Sequence, residues 1–329
     1  MGATRRGILM AAGGLGIKAA GGLAAGGAMA QPAWPNRPIR LINPAPAGGP
    51  GDIVARPIAA RLSEALGQPM LVEARPGANG TIGANLVARA APDGYTIFLS
   101  GIGPIGIGPN FQPVPYDPVR GFAPITQLVS TPLLLVVRPD VAATTVPELL
   151  ALARARPGQV TYGSVGPASI THLAVEMMAR QGGVSMLHVP YSGAAPVVTD
   201  MLGGRIDIAF INPAAALPQM EAGRLRAIAV STLRRWGRHP AIPTVAETLP
   251  GFDVNSWYGL MAPAGTPAEI VERLHRESTA ALRVPEIAAQ MMAAGFDIEG
   301  TTPDQYAAKI REELDRWGAL ARATGIRAE

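Results

Sequence analysis

The chain has 329 residues, 48% of them hydrophobic, with 39 glycines, 32 prolines and no cysteine. Lack of cysteine excludes disulfides, thiolate metal sites and cysteine nucleophiles, and the glycine and proline content argues against an all-helical fold. The net charge of +4 does not mark a nucleic-acid binder: Arg5, Arg6 and Lys18 lie in the first 30 residues without an acidic neighbour, which leaves the rest near neutral, and no dense basic run with interleaved aromatics occurs.

At this length two domains are expected. Residues 1–30 read as a signal peptide: Arg5-Arg6, an apolar Gly/Ala-rich stretch, then Ala28-Met-Ala30 before Gln31. Thr4-Arg-Arg-Gly-Ile-Leu9 resembles a twin-arginine signal, and an ordinary secretory signal is the other reading. Lys18 and the glycines make the stretch a poor permanent span, so a soluble exported protein is expected.

From Pro38 the pattern alternates. Ile39–Asn43 reads as a strand, and Ala45-Pro-Ala47-Gly48-Gly49-Pro-Gly51 leads into a helix from about Asp52 to Leu66. Strand, glycine turn and helix start together aim backbone N–H groups and the positive end of a helix dipole at one point, which suits a phosphate or carboxylate. A tight βα turn with Asp52 as cap and no ligand is the plain alternative. Met70–Glu73 is a strand, Arg75–Gly83 a second glycine loop containing Gly77, Asn79 and Gly80, and Thr81 to Ala91 a helix. Tyr95–Ser100 closes a β-α-β-α-β series, the pattern of a parallel sheet.

Gly101-Ile-Gly-Pro-Ile-Gly106 is a literal G-x-G-x-x-G after a strand. The dinucleotide reading requires that the motif open a helix. Pro104, Pro109, Pro113 and Pro115 argue against one, so the segment is expected to be a flexible cleft wall. Phe122–Ser130 and Leu133–Val137 read as extended around Thr131-Pro132. A second alternating block follows to about residue 250. Its loops Ser164–His172 and Pro190–Pro196 precede helices ending near Gln181 and Leu202, and Ile206–Ile211, Pro213–Ala222 and Leu225–Ser231 complete it. Val254–Met261 is again extended. The end is helical over Pro267–Leu282, Val284–Ala294 and Pro303 to about Ala323, with Tyr306, Ile310, Leu314 and Trp317 on a packing stripe. Arg205 and Asp207 read as a turn pair, and Trp257 and Tyr258 as core or hinge support. Glycine and serine loops at strand C-terminal ends of two blocks would face each other across a cleft.

The loops also carry a set of motifs. They are Pro38-Ile-Arg-Leu-Ile-Asn-Pro-Ala-Pro-Ala-Gly-Gly-Pro-Gly-Asp52, Glu73-Ala-Arg-Pro-Gly-Ala-Asn-Gly-Thr-Ile-Gly83 and Ala91-Pro-Asp-Gly-Tyr-Thr96 in the first block. Tyr162–Leu173, His188–Gly193, Asp200–Asp207, Pro243–Glu247 and Trp257–Pro267 continue the series. Together they resemble the Bug/TctC family, the substrate-binding proteins of tripartite tricarboxylate transporters, over about residues 34–325.

The resemblance implies an α/β, two-domain periplasmic-binding-protein fold (a type II-like Venus flytrap) with two crossover strands and a C-terminal helical extension. Domain 1 would be 32–131 plus 255–329, and domain 2 would be 132–254. It implies a small organic acid as ligand, membrane subunits of the transporter as partners, a monomer, and no cofactor or metal. Carried over by position, domain 1 would offer Ala47, Gly48, Gly49, Asp52, Gly77, Asn79 and Gly80, with Ser100 and Gly101 after the third strand. Domain 2 would offer Ser164, Ser169, Thr171, His172, Tyr191, Ser192, Gly193, Ala194 and Asn212. Two departures stand out: Gly101–Gly108 lacks the Thr-His often found there, and Ile211 precedes Asn212 where many relatives have Asp. The second leaves no evident partner for a ligand ammonium. A ligand-presenting sensor is an alternative. So is a serine hydrolase drawn from Ser164, Ser192 and His172, although no acid has an evident orienting place among four scattered histidines.

Overall fold

The computed structural model describes residues 34–327. The signal-peptide reading of residues 1–30 lies outside them. The first block runs β1 (Ile39–Asn43), α1 (Pro50–Leu66), β2 (Met70–Ala74), α2 (Thr81–Ala88) and β3 (Thr96–Gly101). β1 pairs in parallel with both β2 and β3. Ile39, Leu41 and Ile42 of β1 are fully buried, as expected of a parallel strand covered on both faces. α1 has Pro50 in its first turn and stops at Gly67, which takes φ +70 and donates its N–H to the Ser63 carbonyl.

The segment after β3 departs from expectation. Gly103–Ile107 forms one π-helical turn and continues into α3 (Gly108–Phe111). The two prolines do not block it, because Pro104 and Pro109 each sit in a first turn, where the missing N–H costs nothing. The turn is pinned from outside: a side chain at Gly106 would press on Glu313 Cβ at 3.2 Å.

β4 (Phe122–Pro132) then leads across to β5 (Leu134–Val137), α4 (Val146–Ala155), β6 (Thr161–Ser164) and α5 (Ile170–Gly182). β7 (Leu187–Pro190), α6 (Ala194–Leu202), β8 (Ile208–Ile211), α7 (Pro213–Glu221) and β9 (Arg226–Val230) follow. β10 (Asn255–Pro263), α8 (Ala268–Leu282), α9 (Pro285–Ala293), β11 (Asp297–Ile298) and α10 (Pro303–Thr324) complete the chain.

Two sheets result, ordered β11-β4-β10-β3-β1-β2 and β7-β6-β8-β5-β9. Neither is a plain βαβαβ unit. β10 enters the first sheet antiparallel between β3 and β4, and β5 enters the second antiparallel between β8 and β9. The chain thus passes between sheets twice, at residues 132–134 and 253–255. The sheets share one apolar core, which runs from Ile42, Phe98 and Trp257 through Leu133 and Leu135 to Tyr162 and Phe210. α10 packs back on the first lobe through Tyr306, Ile310 and Trp317, with Leu314 partly buried beside them. The Tyr306 hydroxyl reaches Ser100 Oγ at 2.6 Å. Among the described residues no helix is long and apolar enough to cross a membrane.

Candidate functional site

Between the sheets lies a cleft of about 910 Å³. The first lobe supplies the turn before α1, the turn before α2 and the turn after β3. The second supplies the starts of α5, α6 and α7, and the crossing strands form the floor. Every one of these turns follows the C-terminal end of a strand, so helix starts from both sheets converge on the cavity.

Of the residues singled out in the sequence, Ala47, Gly48, Gly49, Gly77, Asn79, Gly80 and Gly101 line the first-lobe side. Ser169, Thr171, Ser192, Gly193, Ala194 and Asn212 line the second. Asp52, Ser100, Ser164, His172 and Tyr191 are not on the wall, and each is a correction with its own cause.

Asp52 lies behind the first turn. Helix α1 begins at Pro50 with Gly49 at the cap position, so Asp52 is not the cap. Its Oδ2 accepts from the Gly48 N–H at 2.8 Å and from Arg56 at 3.0 Å, while Oδ1 accepts from Asn43 Nδ2 at 2.9 Å. Burial raises its pKa, but these three donors outweigh burial and hold the carboxyl below its ordinary value. Gly51 is required beside it, because a Cβ there would come within 2.8 Å of Asn43 Oδ1.

Ser100 is fully buried and ties strands together, donating to the Gly259 carbonyl at 2.9 Å and meeting Tyr306. Tyr191 instead hydrogen-bonds Asp200 at 2.8 Å. Its phenol is pushed up to about 12 by burial and by that carboxylate. Arg205 also pairs with Asp200, at 2.7 Å, whereas Asp207 pairs with Arg138 at 2.7 Å, so the expected Arg205–Asp207 turn pair does not form.

His172 and Ser164 belong to a cluster under the α5 turn. The Ala168 N–H donates to His172 Nδ1 at 3.0 Å, which puts the ring proton on Nε2, facing Glu176 Oε1 at 3.9 Å. His172 stacks on His188 with ring centres 4.0 Å apart, so two of the four histidines are adjacent and not scattered. Burial, and then the charge of His188, lower the His172 pKa to about 4. Burial also lowers His188, against the opposing pull of Glu176. Ser164 Oγ lies 2.6 Å from His188 Nε2, and Glu176 is held by the Tyr162 hydroxyl. The serine–histidine pair is therefore Ser164 with His188, not with His172, and Ser164 is 1% exposed behind the loop. Ser169 and Thr171 hold the same loop: Ser169 Oγ donates to the Gly166 carbonyl at 2.7 Å, and Thr171 Oγ1 accepts from Val165 N at 3.0 Å.

The lobes touch across the cleft. Asn79 Nδ2 donates to the Ala168 carbonyl at 3.5 Å. Among the described residues, Ala78, Asn79 and Ala168 are the non-glycine residues with positive φ, at 46°, 53° and 50°. The uncommon backbone geometry thus gathers in the two loops that meet there.

Ile102 and Pro104 lie on the wall within the Gly101–Gly106 segment expected there, whereas the sequence reading missed Ile53, Leu133, Ile170 and Gln219. Apolar residues after a glycine turn look like any core residue, and no local signal separates them. Trp257 and Tyr258 do pack as expected, edge-on to Tyr306 and Phe296, and they also form part of the cleft floor. Among the described residues no group of three His, Asp or Glu side chains is placed to hold a metal ion.

Residues 54–326 match the tripartite tricarboxylate transporter family receptor. The chain belongs to this family. It is 36% identical to protein BugT of Bordetella pertussis over 297 residues, 89% of this chain and 91% of BugT. Among solved structures, Rpa4515 of R. palustris with adipate is 35% identical with a TM-score of 0.82, over 89% of this chain and 99% of that one. MatC of Rhodopseudomonas palustris with bound malate is 30% identical with a TM-score of 0.79, over 87% and 99%. The family and fold are those of periplasmic solute-binding proteins.

Proposed function

We propose that this family member is an exported, monomeric periplasmic binding protein that captures a small organic carboxylate and presents it to the membrane subunits of a tripartite tricarboxylate-type transporter. The observation that carries the reading is the convergence of helix starts from both sheets on one cleft whose wall, among the described residues, contains no charged side chain. Backbone N–H groups at helix starts have no partner inside the helix, and they are well suited to a carboxylate. The adipate and malate held by the two R. palustris relatives support that class. The first domain would comprise 32–131 with 255–329, and the second 132–254.

Capture would proceed by closure. The acid docks on one lobe, the other swings on the two chain crossings, and Asn79 meets Ala168 as the lobes come together. Calorimetry with a panel of mono-, di- and tricarboxylates tests the capture, and small-angle scattering tests the closure. At least one acid should bind at micromolar or tighter affinity and reduce the radius of gyration. Absence of binding across the panel would overturn the carboxylate reading, and binding at constant radius would overturn closure.

A further inference from the structure

The lobes meet at a second place, outside the cleft. Arg238 Nη2 donates to the Phe296 carbonyl at 2.8 Å, and Arg238 Nε lies 3.8 Å from Asp297 Oδ1. Trp236 Nε1 donates to the same Asp297 oxygen at 3.4 Å, and the Arg238 guanidinium lies over the Trp236 ring, 5.0 Å from its centre. Each side is rooted in a different core. Trp236 is 4% exposed and belongs to the apolar cluster of Ile206 and Ile211 in the second lobe, whereas Phe296 belongs to that of Leu128 and Met291 in the first. Neither Trp236 and Arg238 nor Phe296 and Asp297 line the cleft.

The strand order puts this contact across the chain crossings from the cleft. In the first sheet the cleft turns follow β1, β2 and β3, and β10 and β4 stand between those strands and β11, which carries Asp297. In the second sheet the cleft helices follow β6, β7 and β8, and β5 stands between them and β9, which leads into Trp236 and Arg238. Beside the crossing itself, Thr131 Oγ1 donates to the Gly295 carbonyl at 2.8 Å, and a side chain at Gly295 would press on Pro213. A turn of the lobes about the crossing strands that narrows the cleft therefore widens the far side. The far contact holds a full hydrogen bond at 2.8 Å, whereas the cleft contact of Asn79 with Ala168, at 3.5 Å, is at the limit for one.

We infer that Arg238, with Trp236 and Asp297, forms a counter-contact that holds the lobes apart and so sets ligand affinity from outside the cleft. This rests on the closure proposed above. A contact made in the open form and lost on closing weakens binding by the factor by which it favours the open form. Its removal tightens binding even as it costs the ligand-free fold a hydrogen bond, whereas removing a contact that only braces the fold lowers stability without tightening binding.

The chain has no cysteine, so Arg89→Cys with Gln181→Cys gives a unique spin-label pair for distance measurement. Both positions are exposed, near the far ends of α2 and α5, whose starts meet across the cleft. Adipate should shorten the label distance in the otherwise unchanged protein. Without ligand, Arg238→Ala and Asp297→Ala should each raise the short-distance population severalfold, and the two together should add little more. In calorimetry each should bind adipate roughly fivefold more tightly, with a lowered melting temperature in the ligand-free state. Unchanged distances, or adipate binding that is unchanged or weaker, in both variants overturn the counter-contact; closure then still stands if adipate shortens the distance in the parent. Adipate bound without any shortening in the parent overturns closure and this inference with it.

Discussion

Mild acid should loosen the second-lobe wall through His172. This ring is buried, accepts from the Ala168 N–H at Nδ1, and has its pKa lowered to about 4 by burial and by His188. The unfolded chain takes up the proton near the ordinary value of about 6.5, so between those limits the unfolded state binds more protons and stability falls as pH falls. At pH 5 the His172 contribution to this loss is about 2 kcal/mol, and below pH 4 it approaches about 3 kcal/mol. Protonated Nδ1 would also confront the Ala168 N–H donor to donor, in the loop that carries Ser169 and Thr171. The carboxylates with lowered pKa act elsewhere. Glu73, held at about 2 by Arg40, contributes stability that persists until pH falls below its ordinary value, from about 4.5 downwards. The window from pH 7.5 to 5 therefore isolates the histidines. Thermal unfolding by circular dichroism should show the native protein losing on the order of 4 °C more across that window than His172→Asn, whose amide oxygen still gives Ala168 an acceptor. Parallel losses in the two proteins would refute the assignment.

Asp52→Ala should destabilise by about 2 kcal/mol in urea titration, since the Gly48 N–H and Asn43 Nδ2 lose their acceptor; a change under about 0.5 kcal/mol would contradict that role. Gly259→Ala should cost more than about 3 kcal/mol and depress soluble yield, because the new Cβ would lie 2.5 Å from the Tyr306 ring and 2.7 Å from the Thr126 carbonyl. Asn79→Gly keeps the positive φ accessible and removes the contact with Ala168. It should speed ligand release in stopped-flow by roughly fivefold, about 1 kcal/mol, with little change in the melting temperature of the ligand-free protein.

The sequence alone determined the alternation of strands and helices, the glycine turns that carry the cleft and the packing stripe of the last helix. Each is written in local chemistry: period, breaker residues and first-turn prolines. Gly48, Gly77, Gly80, Gly193 and Ala194 were legible as wall residues because turn geometry and helix starts are local properties. The tertiary structure decided what contacts across long separations decide. β10 lies between β3 and β4 although about 120 residues of chain intervene, a pairing that no window of sequence contains. Ser100 went to Tyr306, Ser164 and His172 to the stacked pair with His188, and Asp52 to the rear of its own turn. A polar side chain on a loop looks equally able to reach a ligand or a neighbour, and only the fold shows which buried donor or acceptor claims it first.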